Sequence, residues 1–175
     1  MHIPASYEYP NAPYFAEYLN FEADENLFEV LKNQSNEIIE LFENLEKGQA
    51  EFAYAAGKWS LKGLLGHMVD TERIVSYRIL AISRGEKTGL PGFDENEYQA
   101  ASEYETQDAM EILAQYKATR TATTLLLNSF SSKHWNQMGQ ANGKTTSARA
   151  WAWMVAGHEK HHLSIIKERY LPHFS

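Results

Sequence analysis

The chain contains no cysteine. That excludes a disulfide framework, a thiolate zinc finger and a cysteine nucleophile. Any transition metal must therefore be held by nitrogen and oxygen ligands. Positive charge is also scarce: 16 Lys and Arg stand against 23 Asp and Glu, a net charge of −7. With no basic run to neutralise phosphates, neither nucleic acid nor an anionic membrane surface is an expected partner. No apolar stretch approaches the roughly 20 residues of a membrane span. The opening Met1-His2-Ile3-Pro4-Ala5-Ser6 lacks the charged segment and apolar run of a signal peptide, so a cytoplasmic location is expected. No segment alternates polar and apolar residues for long enough to read as a strand.

What is present is the composition of one globular domain: 175 residues, 43% hydrophobic and 22% charged. Residues 1–23, punctuated by Pro4, Pro10 and Pro13, carry Tyr7, Tyr9, Tyr14, Phe15, Tyr18 and Phe21. That many rings predict an arm docked on the body, with a helical turn near Pro13–Leu19. The bundle proper spans 24–171. Its first helix is expected from an Asp24 cap to Lys47, with Gly48 as the stop. The stripe Leu27, Leu31, Ile38, Phe42, Leu45 is broken there by Gln34 and Ser35, which reads as a polar notch. Ser60 caps a second helix to Arg84, with Leu61, Leu64, Leu65, Met68, Val75, Ile79 and Ile82 inward. A connection of about twenty residues, 85–104, is long enough to be a lid or a crossover. A third helix runs from Thr106 to about Phe130, with Met110, Leu113, Tyr116, Leu125 and Leu127 inward, and a fourth covers 146–171. The expected fold is all-α: a four-helix bundle with a long connection between the second and third helices.

Chemistry concentrates in the last helix, at Gly157-His158-Glu159-Lys160-His161-His162. At about 100° per residue, His158 and His162 share a face with Trp151, Met154, Val155, Ile165 and Ile166. Buried imidazoles need partners, and two histidines four apart on one helix can grip a single ion. His161 lies within 60° of His158, so spacing alone does not separate it from His162. For a third ligand the strongest candidate is His67, which follows Gly66 in the second helix as His158 follows Gly157. Glycine inside a helix costs about 1 kcal/mol relative to alanine, and close approach of the two helix backbones would explain both. Asp70 and Arg78 lie on the same shoulder as His67: Asp70 to orient an imidazole or handle a proton, Arg78 to hold an anionic group. Three neutral imidazoles leave a coordination position open, as in a catalytic site; histidine ligation favours zinc or nickel over iron or manganese. The run His158-Glu159-Lys160-His161-His162 also matches H-E-x-x-H, in which the glutamate activates water. The extended peptidase form wants Gly and His where this chain has Ile165 and Glu168. Without an edge strand to hold a peptide, only Glu159 as a proton acceptor is carried forward.

Taken together, Trp59-Ser60, Gly66-His67-Met68-Val69-Asp70-Thr71-Glu72, Trp151 and Gly157-His158-Glu159-Lys160-His161-His162-Leu163 resemble the DinB/YfiT-like superfamily of metal-binding four-helix proteins. The resemblance covers about residues 24–171. It implies a divalent metal held by His67, His158 and His162, which resolves the choice between His161 and His162. It also implies a small-molecule substrate, a homodimer, and either hydrolysis or S-transfer with a low-molecular-weight thiol such as bacillithiol or mycothiol as co-substrate. A related maleylpyruvate isomerase belongs to the same group. The alternative from another class is a non-catalytic metal-stabilised bundle serving as an interaction or stress-response module.

Overall fold

The structure, a computed structural model, describes residues 1–174. Prolines keep the opening segment irregular apart from a 3-10 turn at Ser6–Glu8 and one helical turn, α1 (Phe15–Tyr18). Its rings turn inward except Tyr7, which is 73% exposed. Phe15 is fully buried with its ring edge-on to Trp151, 5.0 Å between centroids, and Phe21 packs on Trp153 at 5.0 Å. The buried Glu8 carboxylate accepts from Ser147 Oγ at 2.7 Å and from Arg149 at 2.9 Å.

Four long helices follow, each opened by a side-chain cap that satisfies an orphan N–H. Helix α2 (Leu27–Glu43) starts at Asn26, whose Oδ1 accepts from Phe28 N at 3.0 Å. The cap is thus Asn26 and not Asp24. The helix also ends before Lys47, because Asn44 folds back and donates to the Glu40 carbonyl at 2.7 Å. Helix α3 (Leu61–Ser83) is capped by Ser60 and followed by Gly85 at φ 84°. The connection to the third long helix is an ordered crossover containing α4 (Glu95–Ala101) and a 3-10 turn at Tyr104–Thr106. Asp108 caps α5 (Ala109–Asn128). A short α6 (Ser132–Trp135) leads to an antiparallel hairpin, β1 (Met138–Ala141) and β2 (Lys144–Ser147). Ser147 then caps α7 (Ala148–Ile165), which continues through a π turn at Ile166–Tyr170 and a 3-10 turn at Leu171–His173.

The hairpin corrects the expectation of no strands. Its signal was the turn pair Asn142-Gly143, both at positive φ (52° and 68°), the pairing that two-residue hairpin loops demand. The strands are too short and polar to register as alternation. Two residues expected inward on α5 also lie outside: Met110 is 49% and Leu125 66% exposed. The buried stripe of α5 is Ile112, Tyr116, Arg120, Thr123 and Leu127, with Leu113 buried beside it as expected. Its steps of three and four include polar groups that an apolar count passes over.

Both α2 and α3 pack chiefly against α5 and α7, so the two consecutive helices occupy opposite corners of the bundle. The apolar interior divides in two. One core joins the arm to the N-terminal half of α7 around Phe15, Leu27, Ile79, Trp151 and Trp153. The other gathers Ile38, Phe42, Leu65, Ile112, Tyr116, Ile166 and Tyr170 at the far end. Between them runs a polar layer of Gln34, His67, Glu72, Arg120, Glu159 and His162, all buried. The notch at Gln34 belongs to this layer: its Nε2 donates to the Ala156 carbonyl at 2.9 Å.

Candidate metal centre

Helices α3 and α7 face each other across this layer, bringing His67 opposite His158 and His162. The Nε2 atoms of His67 and His158 are 3.1 Å apart, and those of His158 and His162 are 3.0 Å apart. One ring nitrogen from each of the three histidines lies within 4.8 Å of the others. His67 and His162 are 5% and 7% exposed, whereas His158 is only partly buried. His161 is exposed and meets the Tyr18 ring edge-on at 5.7 Å, so it is His162 that joins the cluster. His134 is engaged elsewhere, accepting from Ser131 N at 3.0 Å.

Burial holds all three rings neutral. It lowers the pKa of His67 to about 4, partly countered by Asp70, and that of His158 to about 3, helped by His67 and His161. It places His162 well below the ordinary histidine value, with His158 and His67 adding to the effect. A neutral imidazole has one N–H and one bare nitrogen. Two contacts converge on His158 Nε2, which carries either a single proton or a single lone pair. One contact is therefore always left unsatisfied. A cation at the centre removes the conflict. At the 2.0–2.1 Å of zinc–nitrogen bonds, ligand nitrogens sit about 3.3 Å apart in a tetrahedral site and about 3.0 Å apart at right angles. The two spacings that meet at His158 Nε2 suit such a donor set.

The glycines before the histidines serve other neighbours than expected. A Cβ on Gly66 would overlap the Tyr104 ring of the crossover, and one on Gly157 would overlap the Tyr18 carbonyl of the arm. The close approaches that require glycine are thus to the arm and the crossover, not between the α3 and α7 backbones. The arm flanks the centre, Tyr18 lying 6.3 Å from the His158 ring, and Trp59, just ahead of α3, lies 4.8 Å from that of His67.

The carboxylates singled out in the sequence are engaged elsewhere. Asp70 accepts from Tyr104 Oη at 2.8 Å and from Arg73 at 3.2 Å. Glu159 accepts from Tyr116 Oη and pairs with Arg120, which also binds Glu72 at 2.8 Å and the Leu31 carbonyl at 2.9 Å. Among the described residues no hydrogen bond joins either carboxylate to a histidine. A cavity of about 10 Å³, room for one water, is lined by Thr71, Glu72, Tyr116, His158 and Glu159 and lies where the two clusters meet. Arg78 is buried further along α3, donating to the Pro91 carbonyl at 2.9 Å. The sequence reading missed Tyr116, Glu72 and Arg120 as polar partners. The available signal was Arg120, a cation in phase with the buried stripe of α5.

Residues 31–166 match the sequence model of the DinB superfamily. Among curated protein sequences, none matches the chain. Among solved structures, YfiT from Bacillus subtilis, described as a probable metal-dependent hydrolase with an unusual four-helix bundle topology, superposes with a TM-score of 0.73. The two share 16% identity over 94% of this chain and 95% of that one. A mycothiol-dependent maleylpyruvate isomerase superposes with a TM-score of 0.65 and 16% identity. That match covers 81% of this chain but only 60% of the isomerase. At these identities the likeness establishes the four-helix fold.

Proposed function

The chain belongs to the DinB superfamily, and on that premise we propose that it is a divalent-metal-dependent enzyme acting on a small molecule, with His67, His158 and His162 as the metal ligands. The convergence of three neutral imidazoles whose Nε2 atoms cannot all satisfy one another carries this reading. Zinc or nickel suits an all-imidazole donor set. Bound there, the ion supplies Lewis acidity to a water, for hydrolysis, or to the sulfur of a low-molecular-weight thiol, for S-transfer. The chain's own part is to keep three lone pairs aimed at one point. Burial suppresses their protonation, and the packing of Tyr18 and Trp59 beside the rings restricts solvent.

Asp70 and Glu159 enter the proposal as proton-handling candidates in different settings. Asp70, on α3, faces the crossover and accepts from Tyr104 and Arg73. Glu159 reaches the one-water cavity that His158 also lines. A homodimer completes the reading, as the family resemblance implies.

Elemental analysis of protein purified without a histidine tag tests the metal. One zinc or nickel per chain, lost in a His67→Ala variant, is expected; a metal-free chain whose melting ignores chelators overturns the reading. The competing reading is a non-catalytic metal-stabilised bundle, favoured by the near-complete burial of His67 and His162. Thiol consumption with electrophiles, and ester or amide hydrolysis, separate the two. Activity that disappears with His67→Ala supports the enzyme, and a metal-loaded chain inactive in every assay supports the structural role.

A further inference from the structure

Two arginines are buried in the bundle, Arg120 at 6% and Arg78 at 5% exposure. Arg120 is matched by two carboxylates and a carbonyl. Arg78 forms no ion pair among the described residues, and its one hydrogen bond is to the Pro91 carbonyl. Its guanidinium lies over the Trp151 ring, 4.8 Å from the centroid, and 5.8 Å from that of Phe93. The titratable group acting on it most strongly is the Tyr14 phenol, and burial lowers its pKa. A guanidinium has five N–H donors in a planar fork. None of its remaining donors is among the sealed, unpartnered atoms of the interior, so they open onto the adjoining space, where a bound anion would supply the counter-charge absent among the described residues.

Arg78 lines a pocket of about 300 Å³ together with Arg73, Ile74, Leu90, Phe93 and Tyr98. One wall is anchored by the hairpin: Leu90 N donates to the Gln140 carbonyl and Asn142 N to the Leu90 carbonyl, both at 2.9 Å. The other wall is the α3 helix itself, so the shape is preformed rather than assembled around a ligand. Along α7, Trp151 precedes His158 by seven residues, about 10 Å at 1.5 Å per residue. The pocket therefore lies between α3 and the crossover, with Trp151 of α7 behind the guanidinium, and shares no lining residue with the histidine cluster.

We infer that this pocket binds an organic anion, a carboxylate or phosphate monoester on an apolar or aromatic body, with Arg78 as the partner of the anionic group. The aromatic and aliphatic walls take the body, and the guanidinium fork takes two oxygens. This assignment stands on Arg78 and its pocket and does not depend on the metal.

Calorimetric titration of the purified protein with 3-phenylpropionate, phenyl phosphate and the neutral 3-phenylpropionamide tests it, with the change in tryptophan fluorescence, to which Trp151 beside Arg78 contributes, as a second readout. At least one anion binds, and the amide binds about 10–100-fold more weakly than the acid, the range of a charge-assisted hydrogen bond. Arg78→Gln weakens anion binding by a similar factor, whereas an anion held at the histidine cluster would ignore that change and respond to His67→Ala. Should Arg78→Gln fail to fold, Ile74→Trp, at a partly exposed position, fills the pocket with the cation intact and blocks binding. Which anion binds better distinguishes carboxylate from phosphate chemistry. Equal affinity for acid and amide, wild-type affinity in either folded variant, or no binding of either anion at about 1 mM overturns the assignment.

Discussion

His158 and Glu159 are neighbours in the chain and belong to two buried polar clusters of opposite character. Successive helical residues point about 100° apart, so one side chain faces α3's His67 and the other faces α5. Around Glu159 the charges close on themselves: Arg120 sits between Glu72 and Glu159, with Tyr116 and the Leu31 carbonyl taking what remains. Burial alone would pull the Arg120 pKa down, yet Glu159 and Glu72 push it well up. Burial raises that of Glu159 against the pull of Arg120. Around His158 nothing closes: three neutral rings present nitrogens to one another, and no placement of protons satisfies both contacts on His158 Nε2. A self-neutralised cluster holds a bundle together; a cluster of converging lone pairs waits for a cation.

The largest break in this contrast should come from Arg120→Met. It leaves two carboxylates buried without their cation, a change that costs about 3–5 kcal/mol. Urea denaturation should show that loss while the metal content of the surviving folded protein stays at the wild-type level; a melt within error of wild type would refute the structural role of Arg120. His67→Ala should do the reverse. Metal affinity should fall by about 100-fold or more, beyond the loss from removing an outer partner of a ligand. The stabilisation of about 2.7 kcal/mol that metal at 100 times its dissociation constant gives the wild type should vanish. Differential scanning fluorimetry with and without zinc reads both.

Glu159→Gln sharpens the division further. Glu72 still balances Arg120, so stability should fall by only about 1 kcal/mol and metal affinity should barely move. A large loss of activity with metal retained would instead single out the carboxylate as a proton carrier. The smallest effect concerns pH. Lowering a base's pKa keeps it neutral to lower pH, so protons compete with the metal only as the pH approaches about 4 for His67 and about 3 for His158. Metal occupancy, followed by a chromogenic chelator, should hold as pH falls through 6.5; release centred near 6.5 would mean the rings are solvated and not buried.

Much of the frame was legible from local chemistry. Ser60 and Gly85 bracket α3 because a hydroxyl cap and a left-handed glycine are local requirements of any helix. The stripe of α7 placed His158 and His162 together because a 3.6-residue repeat needs no tertiary information. The hairpin escaped because four-residue polar strands carry too little pattern, although Asn142-Gly143 announced the turn. Met110 and Leu125 misled because hydrophobicity alone does not set the phase of a helix; Arg120 and Thr123, buried in the true stripe, do.

The sequence by itself determined the four helices, the candidate ligand pair on α7 and the need to find partners for buried imidazoles. It also pointed to His67, through a likeness in motif rather than a calculable contact. Only the tertiary structure decided that Glu159 turns to Arg120, that Gly66 and Gly157 make room for Tyr104 and Tyr18, and that Arg78 meets no counter-charge among the described residues. The physical reason is range. Caps and periodicity act within one or two turns of helix, whereas the partner of a buried charge is chosen by which helices pack together, and α2, α3, α5 and α7 pack in an order unlike their order in the chain.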